Sequence, residues 1–170
     1  QKRFTIEDNY LNSITVLEVD FLEEKTLHKI PENIDGAYYL MHSMTNNRDY
    51  KKMESTVAHN FKKYISKTAV KHVIYLSGIV NETHLSKHLE SRKNVETILS
   101  KGSFNLTTIR SGIIIGSGSA SFEIIRDLVE KLPIMITPKW LKTKCQPIAV
   151  TDVIQFLTKA LFNSKTFNKN

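Results

Sequence analysis

The stretch Val73–Arg92, VIYLSGIVNETHLSKHLESR, decides how the chain is read. Val73, Ile74, Tyr75 and Leu76 form an unbroken apolar run that ends in Ser77 and Gly78. Continuity, rather than alternation, marks a strand covered on both faces. After a polar loop, Leu85 to Lys101 resumes at helical period, and Gly102 supplies a stop. On that helix His88 and Arg92 stand four apart and share a face that Val95 and Leu99 continue toward a sheet. A strand ending in a hydroxyl, then a helix bearing imidazole and guanidinium, describes a site at the C-terminal edge of a parallel sheet.

The flanking sequence repeats this rhythm. Ser13–Val19 (SITVLEV) is β-branched-rich and ends at Asp20, and FLEEKTLHKI predicts a short helix stopped at Pro31. Gly36–His42 (GAYYLMH) is a second apolar run. Met53, Val57, Phe61, Tyr64 and Ile65 then recur at helical spacing, so residues ~49 to 68 read as an amphipathic helix. Phe104–Arg110 (FNLTTIR) is the next strand. IIIGSGSASFEIIRDLVEKLP follows as strand, Gly/Ser turn and a helix ending before Pro133. A short run, Ile134–Thr137, and QPIAV lead to a last helix, Thr151–Phe162, with Asp152 in its first turn. Strands alternating with helices predict an α/β fold: a doubly wound, Rossmann-like parallel sheet with helices on both faces. The segments Ile14–Val19, Ala37–His42, Val73–Ser77 and Asn105–Arg110 are expected to run parallel.

A chain of 170 residues with 41% hydrophobic content suits one domain spanning residues 1–170. No apolar run approaches the ~20 residues of a membrane span, and the polar opening QKRFTIEDN lacks a signal-peptide core, so a soluble, cytoplasmic protein is expected. The lone Cys145 makes no internal disulfide. A formal charge of +7 raises the question of polyanions. Its lysines are scattered in pairs such as Lys51-Lys52 and Lys62-Lys63 without a nucleic-acid motif, so nucleic acid is not expected as a partner. His84 and His88 have zinc-pair spacing but no third ligand accompanies them, so no metal is expected. A dinucleotide-binding sheet opens with a strand and a glycine-rich turn that meets the pyrophosphate. No such turn precedes Ser13, so either the fold is a different one or the sheet lacks its N-terminal βαβ portion.

Five stretches together carry a likeness. GAYYLMHSM, VKHVIYLSG, HLSKHLESRKNVETIL, TTIRSGIIIGSGSASFEIIRDLVEKLPIMITPKW and CQPIAVTDVIQFL resemble the NmrA-like, atypical extended short-chain dehydrogenase-reductases, described as NAD(P)H-binding or nucleoside-diphosphate-sugar epimerase-like. The likeness runs from about Ile14 to Leu161 and lacks the family's first βα unit and its C-terminal extension. It implies NAD or NADP as cofactor and an oxidoreductase- or epimerase-like activity on a small molecule. It also allows a non-catalytic, redox-sensing regulator of NmrA type, acting on a protein partner. A homo-oligomer is a further alternative.

Carried over residue by residue, the likeness places Asp20 at the adenine. His42 and Ser43 fall beside the ribose and nicotinamide side, and Ser111 and Gly112 at a turn whose backbone approaches the nicotinamide. Ser77 takes the place of the hydroxyl-bearing strand end. His88 and Arg92 occupy the positions of the family's Tyr and Lys, which leaves hydride-transfer chemistry open. Arginine stays protonated, whereas His88 has the chemistry of a general acid or base near neutral pH. Each residue also has a plainer reading. Arg92 and His88 either line a cleft or project from the helix into solvent. Asp20 either meets a ligand or caps the following turn, and Gly116-Ser117-Gly118 either cradles a phosphate or makes a tight strand-to-helix turn.

Overall fold

His72–Gly78, here β2, is the axis of the structure. It lies between Gly36–Tyr39 (β1) and Asn105–Ser111 (β3) in a three-stranded sheet of order β1-β2-β3, and both pairings are parallel. The register sets Gly36 against His72 and Tyr39 against Tyr75, then His72 against Asn105 and Gly78 against Ser111. The computed structural model describes residues 13–42, 49–79, 86–116, 120–131 and 146–170.

Side-chain alternation along β2 builds one core on each face. Val73 and Tyr75 join Tyr39, Phe61, Ile65, Val95, Leu99 and Leu106 in the larger core. That core is closed by Tyr50–Ile65 (α1) and Lys87–Leu99 (α2). Ile74 points the other way, onto Val153, Leu157 and Ala160 of Val150–Ala160 (α4). Helices on both faces explain why β2 reads as a continuous apolar run. Beyond β3, Ile114–Ile115 (β4) pairs parallel with Ile148–Ala149 (β5), and Ala120–Lys131 (α3) follows β4.

Three helix ends follow from local chemistry. Ser86 caps α2 by accepting from the Leu89 N–H at 3.4 Å. Gly102 N–H closes its last turn on the Leu99 carbonyl at 3.0 Å. Helix α4 stops at Ala160 because Leu161 is extended and Phe162 adopts φ 60°. It thus ends two residues before the expected Phe162.

One expected strand does not form. Ile14–Val19 belongs to no sheet, and Val16 is 83% exposed. Its β-branched side chains favour extended backbone, but a strand also needs a ladder partner, and among the described residues it has none. The chain beyond it is nevertheless fastened to α1. Phe21 packs against Phe61 at 5.4 Å between ring centroids, Asn60 Nδ2 donates to the Phe21 carbonyl at 2.7 Å, and Lys63 pairs with Glu24 at 2.8 Å. FLEEKTLHKI contributes a single 3₁₀ segment, Glu24–Lys29. Strand β1 is shorter than expected, ending at Tyr39 where its pairing with β2 stops; Leu40 and Met41 are exposed. The expected run Ile134–Thr137 lies outside the described residues.

Candidate functional site

Parallel strands bring their C-terminal ends to one edge of the sheet, where Ser77, Ser111 and Gly112 lie. Ser77 is 2% exposed, and its Oγ lies beside the Tyr75 phenol without a hydrogen bond of normal geometry. Just beyond it, Arg92 reaches from α2 across Gly78: a Cβ added at Gly78 would lie 3.5 Å from Arg92 Cδ and 3.1 Å from Leu89 Cδ2. Ser111 stands beside Gly78 in the β2–β3 ladder, and its carbonyl accepts from the Ile79 N–H at 3.2 Å. Gly112 sits where two backbones nearly touch. A Cβ there would fall 2.3 Å from the Gln146 carbonyl oxygen, so no side chain fits without movement.

His88, one turn before Arg92, takes a different course. Its ring is stacked on Tyr50 of α1 at 4.8 Å and 21°, and the residue is exposed. The Tyr50 hydroxyl is buried without a hydrogen-bond partner. Arg92 thus lies across Gly78 at the strand end, while His88 packs on Tyr50 at the α1–α2 seam.

At the end of β1 lies a cavity of about 580 Å³ whose lining includes Asp20, Phe21, Tyr39, His42, Met53 and Glu54. Asp20 Oδ1 accepts from the Leu22 N–H at 2.8 Å, so its carboxylate shapes the turn even as it faces this space. His42 Nδ1 lies 3.4 Å from the Leu40 carbonyl. Ser43 and Gly118 lie outside the described residues, as does His84, and no cluster of three metal-binding side chains occurs among those described.

Between strand end and helices sits a polar group that periodicity does not reveal. Glu54 of α1 accepts a hydrogen bond from the buried Ser91 hydroxyl of α2. Tyr75 Oη donates to the Arg92 carbonyl at 3.3 Å, and the Tyr39 and Tyr75 rings meet edge to face at 5.5 Å. Burial pushes the Tyr75 phenol up, while the Ser77 hydroxyl and Arg92 guanidinium beside it pull it back. Burial also drives Tyr39 far above the usual phenol range, reinforced by Tyr75 and Glu54. Both phenols are thus neutral donors at physiological pH. The signal for this group was a carboxylate, Glu54, beside the apolar stripe of α1 and a serine, Ser91, just before Arg92.

No protein-family model matches the chain, and no curated protein matches it either. Solved structures do. A nucleoside-diphosphate-sugar epimerase from Staphylococcus aureus superposes with a TM-score of 0.74 at 14% identity, over 96% of this chain and 56% of that one. The fold is Rossmann-like. A UDP-glucuronic acid 4-epimerase from Bacillus cereus, in complex with NAD and a fluorinated UDP-sugar, gives 0.68 at 17% identity over 89% of this chain and 57% of its own. The Citrobacter sp. triphenylmethane reductase complexed with NADP(H) gives 0.69 at 14%, over 92% and 52%. The chain spans little more than half the length of each. The sequence resemblance is thus matched at the level of fold. Among the described residues no helix is long and apolar enough to cross a membrane.

Proposed function

We propose that this chain supplies part of the NAD(P)-binding domain of an oxidoreductase- or epimerase-like protein of the atypical short-chain dehydrogenase class. The observation that carries the reading is Ser77: a hydroxyl buried at the C-terminal end of the central strand beside the Tyr75 phenol, without a hydrogen bond of normal geometry, one residue before the Gly78 that the Arg92 side chain crosses. An unpartnered buried hydroxyl is unfavourable by about 1–3 kcal/mol, and a catalytic or ligand-directed role is one of the reasons such groups persist. The fold and its parallel strand ends agree with that reading.

The residues fit parts of a dinucleotide. The cavity beside Asp20 and His42 has the size and mixed apolar and acidic lining for an adenosine end. No glycine-rich turn among the described residues serves the pyrophosphate. A nicotinamide, when bound, supplies the hydride acceptor or donor. In this proposal Ser77 hydrogen-bonds the substrate oxygen and Arg92 holds an anionic or hydroxyl group.

A second reading is a dinucleotide sensor without turnover. The stack of His88 on Tyr50 favours it, because it holds the imidazole at the helix seam in the place where the resemblance puts a catalytic Tyr. The test is oxidation of NADH and NADPH by the full-length protein, run against carbonyl compounds and UDP-sugars, with calorimetric binding measured alongside. Turnover that falls in Ser77→Ala supports the enzyme. Binding without turnover on any substrate supports the sensor, and absence of binding removes both.

A further inference from the structure

His72, at the start of β2, is 0% exposed, and both of its nitrogens are engaged. The Phe162 N–H donates to Nδ1 at 2.9 Å. A backbone amide only donates, so Nδ1 is the bare nitrogen and the ring proton sits on Nε2. Nε2–H then donates to Thr107 Oγ1 at 2.8 Å, and Thr107 in turn donates to the Thr166 carbonyl at 2.7 Å. The relay ties β2 and β3 to the chain that follows α4.

That chain lies along the outer edge of β3. The Leu106 N–H donates to Asn168 Oδ1 at 3.0 Å and the Thr108 N–H to the Lys169 carbonyl at 2.9 Å, with a parallel bridge between Thr107 and Lys169. The strap leaves α4 through Phe162 at φ 60°, a conformation that disfavours a side-chain-bearing residue by roughly 1–2 kcal/mol. The His72 hydrogen bond and the packing of the Phe162 ring near Gly36 hold it there.

Protonation breaks this arrangement by geometry alone. A proton on Nδ1 would face the Phe162 N–H, donor against donor. The groups touching the ring are the Thr107 hydroxyl, the Phe162 amide and the rings of Phe162 and Phe167, at 6.3 and 4.6 Å between centroids. None carries negative charge. Lys71, adjacent in sequence, and Lys165 and Lys169 of the strap are exposed cations. We propose that His72 is an acid-sensitive latch, whose protonation frees residues 162–169 from the edge of β3. Burial holds the imidazole below its ordinary value of 6.5. A histidine lowered on folding stabilises fully above that ordinary value, and the contribution is lost as pH falls below it.

The test is residue-resolved amide exchange, corrected for intrinsic rates, in wild type and His72→Asn. Asparagine places an acceptor oxygen near the position of Nδ1 and does not titrate. Between about pH 7.5 and about pH 4.5, wild-type protection at Leu106, Thr108 and Phe162 should fall by roughly tenfold or more while that of Ile74 holds. In His72→Asn the same three amides should show no such fall. Flat wild-type protection, or an equal fall in both proteins, overturns the latch. Should the variant fail to fold, nitrogen NMR of wild-type His72 decides: Nε2–H at neutral pH with protonation coinciding with strap release supports it, and the opposite tautomer refutes it.

Discussion

Removing the Ser77 hydroxyl should make the free protein more stable and its site less competent. Ser77→Ala keeps the Cβ that packs in the α1–α2 side of the sheet and deletes only the oxygen. That oxygen is buried and lies beside the Tyr75 phenol without a hydrogen bond of normal geometry. Desolvating such a group disfavours folding by about 1–3 kcal/mol, and the methyl-sized void left behind returns part of that gain, so a net stabilisation of about 1 kcal/mol is expected. For a chain of this size the change corresponds to a rise of roughly 2–4 °C in Tm. Urea and thermal unfolding without ligand would measure it, with an unchanged urea slope confirming that the compared states are the same. Destabilisation by about 1 kcal/mol or more would mean that the hydroxyl already has a partner, and the inference of a ligand-directed group at the strand end would fail.

Other outcomes follow from the same geometry. Arg92→Ala should weaken binding of an anionic ligand by about 1.5–3 kcal/mol, tenfold or more, while changing stability by less; equal titrations of mutant and wild type would remove Arg92 from the site. Gly112→Ala, which puts a methyl 2.3 Å from the Gln146 carbonyl oxygen, should destabilise by about 1–3 kcal/mol and weaken the amide protection of Ile148, whose N–H donates to Ile113 at 3.0 Å. Wild-type stability in that variant would contradict the close approach. Calorimetry on residues 1–170 alone should detect no saturable NAD or NADP binding at roughly millimolar cofactor, because these residues include no glycine-rich pyrophosphate turn before Ser13. Micromolar binding by that chain would overturn the assignment of the phosphate anchor.

How much was legible in advance depended on how local the cause was. β2 and β3 announced themselves because a strand covered on both faces must be apolar at consecutive positions, and α1 because Val57, Phe61 and Ile65 repeat at the period of its buried face. Ile14–Val19 carries the same local preference and is not a strand, since pairing is a tertiary property that β-branched residues alone do not supply. The site divided along the same line. Ser77 at a strand end and Arg92 on an inward helical face follow from period and spacing, and the structure sets Arg92 across the neighbouring Gly78. The stack of His88 on Tyr50, the Glu54–Ser91 hydrogen bond and the His72 relay each join residues at least 35 positions apart in sequence, which no helical or strand period encodes.

The most direct measurement of the central claim is a crystal structure of the full-length protein with NADP(H) or NAD(H) bound. The account predicts a dinucleotide crossing the C-terminal ends of β1, β2 and β3, its adenosine end in the cavity beside Asp20 and His42. Its nicotinamide end, or a substrate next to it, should lie within hydrogen-bonding distance of Ser77 Oγ. A dinucleotide bound elsewhere on the molecule, or Ser77 still without a partner in the complex, would contradict it.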